Sequence, residues 1–74
     1  MSNEDIALYI MLNEPSFELD GVRYSVCCPG SLFATWDERG KIQDFADIDD
    51  LLENWIVAGR PFREVAEIAL IQKE

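Results

Sequence analysis

The chain has 74 residues, with fifteen acids, six bases and no histidine, for a formal charge of −9. That charge argues against nucleic acid or an anionic membrane as a direct partner, because phosphates repel such a surface. The lack of histidine removes the commonest general base and metal ligand, and with them any Ser-His-Asp or Cys-His machinery.

At this length there is one domain, residues 1–74. Such a domain buries only about 60% of its unfolded surface, so its stability is marginal and rests on its apolar core. No charged stretch followed by an apolar core opens the chain, and no apolar run approaches the ~20 residues of a membrane helix. The two cysteines are adjacent, Cys27 and Cys28, which is not a disulfide framework. Cytoplasmic residence is the expectation.

In chain order, Met1 to Glu14 is predicted as a helix. Ser2 with Asp5 three residues on approximates a capping box, and Glu4 and Asp5 suit the positive end of the helix dipole. The run Ile6 to Leu12 is apolar nearly all round and could be a buried strand, but its Ala, Leu and Met favour helix. Pro15 ends it.

Ser16 to Cys28 carries the best strand signal. Asp20-Gly21 is a two-residue hairpin loop that needs positive φ. That loop pairs Leu19 with Val22, Glu18 with Arg23 and Phe17 with Tyr24, which alternates an apolar face with a charged one. Val26 and Cys28 continue the apolar face. Pro29-Gly30 marks a turn. A third strand over Ser31 to Trp36 leads into Asp37-Glu38-Arg39-Gly40, a type I turn with a bulge glycine. The register then pairs Trp36 with Ile42 and Phe33 with Phe45. Leu32, Ala34, Trp36 and Ile42 are expected to face the core, and Phe33 and Phe45 the opposite side. That side is either covered by the C-terminal segment, the more economical arrangement, or an exposed contact patch.

Asp47 is a good N-cap. Ile48, Leu51, Leu52, Trp55 and Ile56 form one apolar stripe, so a helix over residues 47–57 is predicted, packed on the sheet and punctuated by Gly59 and Pro61. Phe62, Val65 and Ala66 suggest a short helix. Ile68 to Gln72 reads as a final short strand.

The fold class that follows is α+β: an N-terminal helix, an antiparallel sheet of three or four strands from two hairpins, a central amphipathic helix and a short C-terminal helix with a possible final strand. No phosphate-binding loop, metal cluster or catalytic constellation is present in the sequence. Alternation sends the sulfurs of Cys27 and Cys28 to opposite faces, so they cannot grip one metal. No enzyme activity and no cofactor are expected. The candidate partner-binding residues are the acids Asp44, Asp47, Asp49, Asp50 and Glu53, which cluster without a base among them, and the pair Phe33 and Phe45. A well-capped helix with a solvated face is the favoured account of the acids, since acids in a first turn are stabilising in any case.

The functional expectation is a small, acidic, non-catalytic protein-interaction or regulatory module, its partner another protein, with a basic one favoured by the charge. Size and charge alone, by analogy, suit a bacterium or its mobile elements. The alternative is an inhibitor that imitates nucleic acid in the basic groove of a nucleic-acid-binding enzyme.

Overall fold

The computed structural model describes residues 2–71. Helix α1 spans Asn3–Asn13. The capping box forms as expected: the Asp5 N–H donates to Ser2 Oγ at 3.1 Å and the Ser2 N–H to Asp5 Oδ2 at 3.3 Å. The helix closes at Glu14, in the left-handed region at φ 44°, whose N–H returns to the Ile10 carbonyl at 2.9 Å. Met1, where the predicted helix began, lies outside the described residues. Ile6 and Ile10, one turn apart, enter the core; Leu8, Met11 and Leu12 are exposed.

Strands β1 (Ser16–Leu19), β2 (Val22–Cys27), β3 (Phe33–Asp37) and β4 (Ile42–Phe45) form an antiparallel sheet in that order. The first hairpin has the expected register, with Glu18 opposite Arg23 and Phe17 opposite Tyr24. Asp20 and Gly21 sit at φ 52° and 79°, the two positive values that let a tight turn match the strand twist. The second hairpin also keeps its expected register, Phe33 opposite Phe45 and Trp36 opposite Ile42. Its turn closes through Gly40 N–H to Asp37 O at 2.9 Å and Asp37 N–H to Lys41 O at 3.1 Å, with Gly40 at φ 94°.

The two faces of this second hairpin are the reverse of the expectation. Phe33, Thr35, Asp37 and Phe45 point into the core, whereas Trp36 is 40% and Ile42 70% exposed, and Leu32 is exposed too. The reason is the β2–β3 register, which sets Val26 opposite Thr35 and Tyr24 opposite Asp37. Residues paired across strands share a face, so the helix-covered side of β2 drags Thr35 and Asp37 inward. Both polar groups are satisfied there: Thr35 Oγ1 donates to the Gln43 carbonyl at 3.0 Å, and the Asp37 carboxylate accepts from its own turn.

Helix α2 spans Ile48–Asn54, shorter than the predicted 47–57. Trp55 is already extended, at φ −80° and ψ 112°. Beyond it lies a miniature hairpin, β5 (Ile56–Val57) and β6 (Arg60–Pro61), turned by Ala58 and Gly59 at φ 53° and 80°. Ile56, assigned from the sequence to the apolar stripe, is exposed, while Val57 is fully buried. Leaving the helix at Trp55 lets its carbonyl accept the Phe62 N–H at 2.7 Å and its ring meet the Phe62 ring at a centroid distance of 4.7 Å.

Helix α3 spans Phe62–Ile71. The strand expected over residues 68–72 is therefore helix as far as Ile71, and Gln72 lies outside the described residues. Phe62, Val65, Ala66, Ala69 and Leu70 are buried at helical spacing and Ile68 is on the outer side, so one stripe continues through the ambiguous segment. All three helices pack on one side of the sheet: α1 against β2, α3 against β1 and α2 beside β4. The layer between them holds Phe33 and Phe45, each 6% exposed. Covered by helices, these two phenylalanines are core residues and not a contact patch.

The two tryptophans thus separate in role. Trp55→Ala should cost about 3–5 kcal/mol, most of the stability of so small a domain. Trp36→Ala should cost under ~1 kcal/mol, as exposed substitutions do. Urea denaturation of both variants checks this; equal losses would contradict the assigned faces.

Candidate functional site

Two surfaces compete for a functional role: the acids around α2 and the uncovered side of the sheet. The acids are largely engaged within the fold. Asp47 caps α2, its Oδ1 accepting the Asp50 N–H at 2.8 Å. Asp49 Oδ1 accepts from the Asn3 amide at 2.8 Å, which ties α1 to α2. Asp50 accepts the Ala46 N–H at 3.0 Å and the Asn54 amide at 2.6 Å. These two bonds, backbone first, hold its carboxyl below the usual range against a small opposing effect of burial. Glu53 is in an ion pair with Arg63 of α3, both side chains about half exposed. Arg63 thus folds back on the acid. Asp44 alone of the candidate acids stands on the sheet, on its uncovered side, opposite Ala34.

Asp37 is the other engaged acid. Burial pushes its carboxyl up, but the N–H groups of Lys41 and Arg39 and the Arg39 guanidinium outweigh this and hold it below the usual range. It locks the β3–β4 turn from the core side.

The uncovered side of the sheet is built from the residues that alternate outward. The pairing sets two cross-strand rows side by side, Ser25–Trp36–Ile42 and Cys27–Ala34–Asp44. Small side chains at Ser25, Cys27 and Ala34 leave a floor between larger walls. The result is a groove of about 360 Å³ lined by Trp36, Ile42, Ala34, Cys27, Ser25 and, from the end of α1, Glu14. No Lys or Arg lines it. The base on this face, Arg23, sits further along β2, 4.0 Å from Glu18. Burial raises the Cys27 thiol, and Glu14 and Asp44, with Cys28, raise it further. That thiol is protonated at neutral pH and a poor nucleophile; the carboxylates of Glu14 and Asp44 beside it put negative charge at the groove.

A second cavity, about 440 Å³, lies where α1, α2 and α3 meet, lined by Asn3, Ile6, Leu52, Arg63, Glu64 and Ile68 among others. Its Arg63 is already held by Glu53. Among the described residues no three Cys, Asp or Glu side chains converge as a metal would require, and no helix is long and apolar enough to cross a membrane.

The structure does not gather the sequence-derived candidates into one site. It places Phe33 and Phe45 in the core, the four acids of residues 47–53 along α2, and Asp44 on the open sheet. The groove residues Trp36, Ile42, Ala34, Cys27 and Glu14 were not among those candidates. The outward position of the strand residues among them follows from the register that sets Val26 opposite Thr35 and Ser25 opposite Trp36; a slip of one residue would have turned Trp36 inward, and no local signal in the sequence fixes that choice. Comparison with protein-family models, curated proteins and solved structures finds no match to this chain.

Two measurements check these assignments. Asp50→Ala should lower the urea midpoint more than Asp49→Ala or Glu53→Ala, since Asp50 carries a backbone donor and a side-chain donor; an equal effect at all three would make it a merely solvated acid. The depressed Asp37 and Asp50 bind protons less readily folded than unfolded, so their stabilisation is full above the ordinary carboxylate value of about 3.9 and is lost as pH falls through the lower folded values. Asp37→Asn should therefore flatten the fall of stability below about pH 4. An unchanged acid limb in denaturation curves would rule Asp37 out as a source.

Proposed function

We propose that this protein is a non-catalytic protein-interaction module that engages its partner through the open side of the four-stranded sheet. One observation carries the reading. Trp36 and Ile42 stand exposed side by side over a groove, on the sheet face that no helix covers, while the other face is fully used by the core. Aromatic anchors at the centre of an apolar patch are what binding surfaces are enriched in, and an exposed patch of this kind marks contact sites. A domain of marginal stability gains nothing by leaving a tryptophan in water.

The internal use of Asp47, Asp49, Asp50 and Glu53 favours this reading over a nucleic-acid mimic. A mimic presents freely oriented carboxylates to the partner; these remain at the surface, but each is already fixed within the fold as a cap, a bridge or an ion pair. The lack of histidine in the sequence and, among the described residues, of a cluster of Cys, Asp or Glu that could hold a metal supports a role without catalysis.

The test is a comparison of captured proteins. Wild type, Trp36→Ser and the double variant Asp49→Asn/Glu53→Gln are used as baits in an extract of the native host. The sheet-face reading expects the wild-type partner to be lost with Trp36→Ser and kept with the double variant. The opposite pattern, above all with a basic nucleic-acid enzyme as the captured protein, would establish the mimic instead.

A further inference from the structure

We infer that the occupant of the sheet groove is a short cationic segment of a partner protein, an apolar side chain flanked by Lys or Arg. The inference rests on the sheet-face reading above and adds the chemistry of the partner.

Size argues for a short segment. Four strands at ~4.8 Å spacing and about five residues of ~3.3 Å each give roughly 300 Å² of projected face. A stable interface between whole domains needs about 800 Å² per partner. The groove itself, about 360 Å³, takes one or two large side chains. Its floor of Ser25, Cys27 and Ala34 and its walls of Trp36 and Ile42 offer an apolar side chain a place to leave water.

Charge argues for a cation. Glu14 lines one side of the groove, and Asp44 ends the row Cys27–Ala34–Asp44. Neither carboxylate takes part in the hydrogen bonds or ion pairs that occupy the acids of α2, and no base lines the groove. A Lys or Arg beside the inserted residue would complete both the charge and the hydrogen bonds. A tryptophan wall also suits a cation stacked on its face. The same charges oppose a second copy of this chain: each copy carries −9, and face-to-face pairing brings acids of both grooves together over an area too small to compensate.

The probe is a phage-displayed library of random dodecapeptides, selected on the wild-type protein and counter-selected on Trp36→Ser. Peptides recovered this way are synthesised, and binding is followed by the emission of Trp36, which shifts to the blue as it leaves water while the buried Trp55 does not respond. The expected consensus is an apolar residue next to Lys or Arg. Glu14→Gln/Asp44→Asn should weaken these peptides roughly three- to tenfold. Raising ionic strength from about 0.01 M to about 0.15 M, which shortens screening from roughly 30 Å to 8 Å, should weaken the wild-type complex and leave the double variant little changed. Ile42→Ser serves as a second loss-of-wall variant should Trp36→Ser lose its cooperative melt.

A consensus without basic residues, or indifference to the double variant, would overturn the cationic partner and leave the sheet-face reading standing. Recovery of no peptide that depends on Trp36 or Ile42 would overturn both. A wild-type dimer in sedimentation that Trp36→Ser dissociates would make the occupant a second copy and overturn the inference.

Discussion

The fold depends on one aromatic cluster. The rings of Phe17, Tyr24, Trp55 and Phe62 form five pairs with centroids 4.7–6.2 Å apart, stacked, edge-on or tilted. They come from the first hairpin, the end of α2 and the start of α3. No single element could hold them, so their contact is what joins the sheet to the helices. Two polar bonds fix the geometry around the rings. The Trp55 carbonyl takes the Phe62 N–H, and Tyr24 Oη accepts the Ala58 N–H at 3.3 Å. The second bond reaches across from the sheet to the turn of the β5–β6 hairpin. It helps to hold the miniature hairpin that separates the two helices, alongside the positive-φ turn at Ala58-Gly59.

That cluster also decides the asymmetry of the sheet. All three helices are drawn to the face that carries Phe17 and Tyr24, and none is left for the other. In a chain this short the apolar supply covers one face only. The uncovered face keeps small residues on its central strands and one tryptophan beside one isoleucine, a composition that adds little to the core. The acids follow a similar economy. Those near α2 terminate and link helices, and those at the groove remain available.

Much of the fold was legible in the sequence because local chemistry set it. The Ser2–Asp5 capping box, the Asp20-Gly21 turn with its register, the Gly40 bulge and the Asp47 cap are each decided within a few residues. The C-terminal helix was less legible, since Ile68 to Ile71 is apolar on several sides and only packing under Phe62 and Leu70 selects helix. The break at Trp55 was not legible, because Trp55 and Ile56 extend the helical period and only the Ala58-Gly59 turn, stabilised from across the core by Tyr24, interrupts it. Of the candidate site, Asp44 alone was both foreseen and found on the groove face.

The sequence by itself determined the inventory: an acidic α+β chain, its two hairpins with their pairings, and its helix starts. Only the tertiary structure decided which way the second hairpin faces. Hydrophobicity favoured Trp36 and Ile42 inside, and Thr35 and Asp37 outside. The pairing of β3 with β2 reversed both, because strand alternation admits no mixture, and Tyr24 and Val26 were already committed to the core. A turn that satisfies Asp37 and a neighbour that satisfies Thr35 make the burial tolerable. The five residues between β2 and β3 carry no turn rule strict enough to announce that parity, so which side of the sheet stays open is a property of the packing.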